Sequence, residues 1–227
     1  MSAEKRNAGY RAAEEVEDGM VVGLGTGSTV FFAMERLGKR IAEDRLSIAG
    51  VPTSYQAAIR ARRYGIPLTS LDEYPELDIA IDGADQVDPA LCLIKGRGAA
   101  LLREKCVCDA AQRAVIVVDG TKMVEALNAP VPVEVLPFAV EAVSRRLAAL
   151  GADPVLREAV KKDGPVVTDN GNFILDCSFG TIADPGRLET AIASIPGTLE
   201  CGLFSAYTEK ITVIVGEEKG CSVVSLH

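Results

Sequence analysis

The sequence predicts an α/β chain, a mainly parallel sheet layered with helices, followed by a smaller α+β unit. Three observations predict it. Short apolar runs alternate with amphipathic helical stretches up to Lys122, the pattern of parallel strands joined by crossover helices. The texture then changes at "NAPVPVEVLP", residues 128–137, where three prolines mark a crossing into a second unit. Beyond it the order reads strand, helix, two strands, helix, strand, with Asn170 and Gly171 as a hairpin signal.

In order, residues 3–17 are charged and helical in pattern, and 21–25 form a short buried strand. A helix over 26–37 presents Val30, Phe31, Met34 and Leu37 on one face. A strand over 46–51 leads to a helix over 53–65 that stops at Gly65. Strands at 77–81 and 91–94, a helix over 99–111 and a strand over 114–119 complete the first run. The second unit reads as a strand over 131–135, a helix over 138–150, and strands over 155–160 and 166–168. The latter continues past "DNGN" into 173–177, and a helix over 185–194 and a strand over 199–204 follow. Two last strands, 211–215 and 222–226, can return to the large sheet, so the expected large domain is 1–127 with 205–227 and the small one 128–204.

Composition narrows the function classes. Of 227 residues, 48% are hydrophobic, which excludes a disordered chain. No apolar run reaches the ~18 residues of a membrane helix, and the charged N-terminus lacks a signal-peptide core. The expectation is a soluble, cytoplasmic protein with no membrane partner. Lys and Arg total 24 against 32 Asp and Glu, a net charge of −8 without a basic cluster, which argues against nucleic acid. The six cysteines, Cys92, Cys106, Cys108, Cys177, Cys201 and Cys221, form no C-x-x-C pair, and most sit in apolar runs as small buried hydrophobes. The only histidine is His227. No metal site is expected, nor hydrolysis built on imidazole.

The chemistry lies at strand ends. "VVGLGTGSTV" carries Gly23, Gly25 and Gly27, then Ser28 and Thr29 at a helix start. A dinucleotide fingerprint would need a third glycine at Ser28 and an acid closing the second strand, where "GVPTS" offers none. A Walker loop would need a lysine after the glycines. What remains suits one small terminal phosphate held by backbone N–H groups; the plain alternative is a Gly-rich turn with Ser or Thr as N-cap. "DIAIDGADQVD" delivers Asp82 and Asp85. "LIKGRGAALLREK" delivers Lys95, Gly96 and Gly98, and then Glu104 on a helix. "VVDGTK" adds Asp119 and Lys122. Four polar, glycine-containing strand ends point to one ligand site, with cations and hydroxyls for phosphate and carboxylates for sugar hydroxyls or proton transfer.

Taken together, "GLGTGST", "DGAD", "KGRGAALLREK", "PVEVLP", "VTDNGNFILD" and "GLF" resemble, in order, segments of the ribose-5-phosphate isomerase A family. The resemblance implies interconversion of D-ribose 5-phosphate and D-ribulose 5-phosphate in the pentose phosphate pathway, without metal or organic cofactor. It implies a Rossmann-like large domain, a small ferredoxin-like α+β domain making oligomer contacts, and a homodimer or homotetramer. By motif, the substrate-binding residues would be Thr26, Gly27, Ser28 and Thr29; Asp82, Gly83, Ala84 and Asp85; Lys95, Gly96, Arg97 and Gly98; and Lys122, with Lys5 of "EKRNAG" added. Glu104 would be the proton acceptor, with Asp82, Asp85 and Lys95 also catalytic. Arg97 departs from the K-G-G-G of many members, and His227 matches nothing functional. The rival reading is a non-catalytic sugar-phosphate sensor. Such a sensor would carry a DNA-binding segment that this chain lacks, and would not need Glu104.

Overall fold

The computed structural model describes residues 2–226; His227 lies outside them. In chain order the elements are α1 (Ala3–Ala13), β1 (Val21–Leu24), α2 (Val30–Glu43), β2 (Ala49–Pro52), α3 (Tyr55–Arg63) and β3 (Leu77–Asp82). Then come β4 (Gln86–Val87), β5 (Leu93–Ile94), α4 (Leu101–Ala110), β6 (Ala111–Asp119), β7 (Val131–Val135), α5 (Val140–Ala149) and β8 (Asp153–Leu156). The last are β9 (Phe173–Ser178), α6 (Pro185–Ala193), β10 (Thr198–Cys201), β11 (Leu203–Phe204), β12 (Ile211–Glu217) and β13 (Gly220–Val224). The chain divides into two compact units. The first holds residues up to Ala84, Arg103–Met123 and those from Tyr207 on; the second holds Asp85–Leu102 and Val124–Ala206.

The first unit is built on a six-stranded sheet in the order β13-β12-β6-β3-β1-β2, parallel except for the edge strand β13. Alternation along the strands loads both faces. Val22, Leu24, Ile79 and Ile81 join a core with Ala8 and Ala12 of α1, Met34 and Leu37 of α2, and Ala57 of α3. The alternate position Ala80 packs with Val107 of α4 on the other face. Val30, Ala33, Met34 and Leu37 recur at helical spacing and are buried, each large one contributing about 1.5–3 kcal/mol. From β1 the chain moves to β2 on one side, and from β3 to β6 on the other, so the order reverses between the carboxyl ends of β1 and β3. That is where open α/β sheets place ligands.

The second unit holds a four-stranded antiparallel sheet, β10-β7-β9-β8, with α5 and α6, the expected strand–helix–strand–strand–helix–strand order. Val131, Val133 and Val135 of β7 alternate into a core with Val143, Leu147, Leu175 and Ile192. A separate three-stranded sheet pairs β11 with β5 and β5 with β4. Among the described residues no helix is long and apolar enough to cross a membrane.

Several boundaries differ from expectation for identifiable reasons. Helix α1 ends at Ala13, because Glu14, Glu15, Glu17 and Asp18 would crowd the negative end of its dipole. Helix α2 begins at Val30, not at residue 26, since Thr26 is engaged by neighbouring loops and Gly27 has φ +131°. The strand expected over 91–94 shrinks to β5 and leaves the parallel sheet. Asp88 accepts the N–H groups of Ala90 and Cys92, both at 2.9 Å, and Leu91 has φ +60°, so the chain doubles back as the β4–β5 hairpin. Residues 166–168 form no strand. The turn at Asn170 and Gly171 does form, but Glu134 Oε1 gathers Thr168, Asn170 and Asn172 at 2.8–3.0 Å, and the arm meets its neighbour through an isolated bridge between Glu158 and Pro165 and the Val166 N–H on the Arg157 carbonyl, short of a strand. The strand expected over 199–204 is divided at Gly202 between two sheets. The Gly202 N–H donates to Pro132 and its carbonyl accepts from Lys95, at 2.7 and 2.8 Å.

Candidate active site

In the first unit the glycine loop closes on Asp82. Asp82 Oδ1 accepts the N–H groups of Thr26 at 3.2 Å and Gly83 at 2.7 Å. Any side chain at Gly25 would lie 2.1 Å from that oxygen, which is why a glycine stands there. The Thr26 hydroxyl is shared with Thr53 at 3.0 Å and Ser54 at 2.7 Å, and the Ser54 hydroxyl in turn caps α3 through the Ala57 N–H. The plain alternative made Ser or Thr an N-cap, but Thr29 makes no side-chain capping bond at the start of α2. Helix capping therefore does not account for the Thr29 hydroxyl.

Two cations adjoin this loop's side of the unit. Lys5 Nζ donates to Ser28 Oγ at 3.3 Å. Asp119, closing β6, accepts from the N–H of Thr121 at 3.1 Å and from its hydroxyl. Burial would raise the Asp119 pKa, but the Thr121 bonds and the charges of Lys5 and Lys122 outweigh it and hold the carboxyl below its usual value. Hydroxyls, a glycine-rich turn and two lysines make this end of the sheet suited to an anion.

Glu104 is only 5% exposed, in the first turn of α4. Its level along the sheet follows from packing. Ala111, directly after α4, pairs with Leu77, and Val107 covers Gly23, whose partner is Ala80. The helix thus runs opposite to the strands. Three residues further back, about 4.5 Å of helical rise, Glu104 reaches the end where Gly25 and Asp82 lie. A side chain at Gly23 would meet Val107 at 2.4 Å, so that glycine sets the approach of α4.

The second unit carries Asp85 and the Lys95–Gly98 loop. The Asp85 N–H donates to Ile94 at 2.7 Å, and its Oδ2 accepts the Arg97 N–H at 3.0 Å. Lys95 is 3% exposed, its ammonium 5.4 Å from the Phe204 ring centre. Gly96 has φ +103°, and a side chain there would meet Leu101 at 2.7 Å. The Arg97 side chain is exposed. Sequence reading missed Arg157, which donates to this loop's carbonyls, and Asp176, which accepts from Arg157; 60 residues separate Arg157 from Arg97, and no motif joins them. It also missed Thr53 and Ser54, although "PTS" after a strand carried the signal.

The thiols fit no nucleophilic role in this site. Burial first, then Asp88, Glu189 and Asp184, pushes Cys92 to about 11; burial, then Asp176 and Cys201, pushes Cys177 to about 12. Cys108, Cys177 and Cys201 are buried as expected, whereas Cys106 is exposed. Among the described residues one group has metal-ligand spacing: Glu189, Glu200 and Cys201. One oxygen of each carboxylate already accepts from protein donors, Glu189 Oε2 from the Ser205 N–H and hydroxyl and Glu200 Oε1 from the Cys201 N–H at 2.8 Å.

Comparison with known proteins decides the family. The family model described as ribose 5-phosphate isomerase A (phosphoriboisomerase A) matches residues 49–220. The chain belongs to the ribose 5-phosphate isomerase A family. A family member from Methanoregula boonei is 63% identical over 225 residues, covering 99% of this chain and 94% of that protein. The solved ribose 5-phosphate isomerase A of Methanocaldococcus jannaschii superposes with a TM-score of 0.92 at 44% identity, covering 97% of each chain. A second solved family structure, a D-ribose-5-phosphate isomerase in complex with phospho-erythronic acid, gives 0.94 at 45% identity, covering 98% of this chain and 97% of that one. Membership agrees with the observed Rossmann-like first unit and ferredoxin-like second unit.

Proposed function

We propose that the chain interconverts D-ribose 5-phosphate and D-ribulose 5-phosphate by proton transfer between C2 and C1 through an enediolate. The observation that carries this reading is Glu104, a buried carboxylate at the same sheet end as a glycine loop flanked by Lys5 and Lys122. One base can remove the proton from one carbon and return it to the other. A carboxylate withdrawn from water does not spend its basicity on solvent. The Thr26–Thr29 loop, Lys5 and Lys122 take the 5-phosphate. Lys95 supplies a donor to the enediolate oxygen. Asp82 and Asp85, with Lys95, exchange protons at the ring oxygen and anomeric hydroxyl when the furanose opens. Gly83, Ala84, Gly96, Arg97 and Gly98 present backbone to the sugar. The six free cysteines suit a reducing, cytoplasmic setting.

A coupled assay with ribose 5-phosphate tests the activity, and Glu104→Gln tests the base. The near-isosteric amide is expected to lose at least ~10²-fold in kcat, the scale of general-base catalysis, with a much smaller change in KM. Near-wild-type kcat in the folded variant would remove Glu104 from the mechanism.

A further inference from the structure

The Lys95–Gly98 loop does not hold its shape by local sequence alone. Gly96 is left-handed at φ +103°, and Ala99, with a side chain, is left-handed at +56°. Left-handed backbone at a non-glycine residue costs about 1–2 kcal/mol; the Ala99 N–H closes the turn on the Gly96 carbonyl at 3.0 Å, and that same carbonyl is gripped from outside the loop by Arg157. Its Nη1 donates to two successive carbonyls, Gly96 at 3.0 Å and Arg97 at 3.1 Å. Its Nε and Nη2 fork onto the two oxygens of Asp176 on β9, at 2.8 and 2.5 Å. The main chain of Arg157 is also tied on both sides, its N–H to Ile174 at 2.9 Å and its carbonyl to Val166 at 2.8 Å. The Arg97 N–H meets Asp85. The loop peptides therefore have a cation on their carbonyls and an anion on an N–H, and such charge-assisted bonds are about twice as strong as neutral ones.

We propose that Arg157, oriented by Asp176, is a positioning residue that sets the Lys95–Gly98 backbone and thereby aims the Lys95 ammonium. The role in turnover rests on the isomerase reading above; the role in the loop does not. A bidentate fork with a third nitrogen left for two carbonyls is a guanidinium geometry that lysine cannot reproduce. A displacement of about 1 Å at a reacting group costs up to ~10²-fold in rate.

The test uses Arg157→Lys, Arg157→Ala and Asp176→Asn in the full chain, with two readouts. Amide exchange across residues 95–99 is expected to accelerate at least about tenfold in the Arg157 variants, and less in Asp176→Asn, where the carbonyl contacts remain. In turnover of ribose 5-phosphate, kcat is expected to fall about tenfold or more, with inhibition by inorganic phosphate unchanged within about twofold. Millimolar guanidinium ion is expected to restore part of the loss in Arg157→Ala and nothing in the wild type. Unchanged exchange in Arg157→Ala overturns the proposal. So does faster exchange with kcat within twofold of wild type, or a parallel loss of phosphate inhibition, which marks general unfolding. A wild-type protein that does not turn over ribose 5-phosphate defeats the isomerase reading instead, and the exchange data still judge the loop.

Discussion

Asp119 shows how the end of a strand keeps a single carboxylate charged beside two cations. Its pKa lies below the usual carboxylate value despite burial, because Thr121, Lys5 and Lys122 favour the charged form. The sign follows directly. A depressed carboxylate contributes stability above its unfolded pKa, and loses it only as pH falls through the folded one. Near neutral pH the charge is therefore in place, and the two lysines are partly compensated while no phosphate is present. In the proposed reading Lys122 meets the 5-phosphate, remote from the reacting carbons, so its removal acts mainly on binding. Lys122→Ala is expected to raise KM for ribose 5-phosphate several-fold, with a smaller loss in kcat, and to weaken competition by inorganic phosphate. Lys5 and the loop N–H groups limit the loss. Both proteins must be compared at matched ionic strength, since salt screens charge effects. Unchanged KM and phosphate inhibition would take Lys122 out of phosphate binding.

At the scale of elements, the junction of β10 and β11 is the tightest constraint in the second unit. One stretch of chain serves two sheets, pairing with β7 on one side of Gly202 and with β5 on the other. A side chain at Gly202 would lie 2.1 Å from the Lys95 carbonyl and 2.9 Å from Pro132. Neither is a flexible side-chain end. Gly202→Ala is expected to cost more than about 2 kcal/mol, read as a lower denaturant midpoint, with kcat falling because Lys95 is bonded to this residue. Gly171→Ala is the control. It has open space around it but φ +82°, so its cost stays near 1 kcal/mol. Equal losses in the two variants would show that crowding at Gly202 is relieved at no cost. This junction also marks where sequence reading stopped. Residues 199–204 read as one apolar strand, and periodicity cannot say that its two halves pair with different sheets. The same limit applies to β5, whose fate was decided by the Asp88 turn before it.

For the whole molecule, the alternation of strands and helices and the break at the prolines were legible, because each rests on local patterning. The glycine loop, Asp82, Lys95, Glu104 and Lys122 could be named as candidates because each follows a strand or lies in the first turn of a helix. Arg157 and Asp176 were not, since their meaning comes from partners far along the chain; the Thr53–Ser54 hydroxyls follow a strand and carried a signal that was passed over. The lack of a metal expected from the cysteine and histidine spacing yields a direct test. The Glu189, Glu200 and Cys201 group is already engaged by protein donors, so activity is expected to survive exhaustive chelation. Loss in EDTA restored by one divalent ion would reverse that assignment.

Helix α1 packs on β12: a side chain at Gly216 would sit 1.9 Å from the Glu4 carbonyl, and Asn7 Nδ2 reaches the Glu217 carbonyl at 2.8 Å. The two elements are 210 residues apart in the chain at that bond. On a ribosome adding about 5–20 residues per second, the helix is made roughly 10–40 s before the strand it lies on. Its small buried face, Ala8, Gly9, Ala12 and Ala13, leaves little for non-native partners to grip during that wait. Meanwhile every residue of the second unit has been synthesised before β12 begins. Birth order therefore runs against sheet order: the smaller unit can mature first, and the larger one is sealed last by its own final strands.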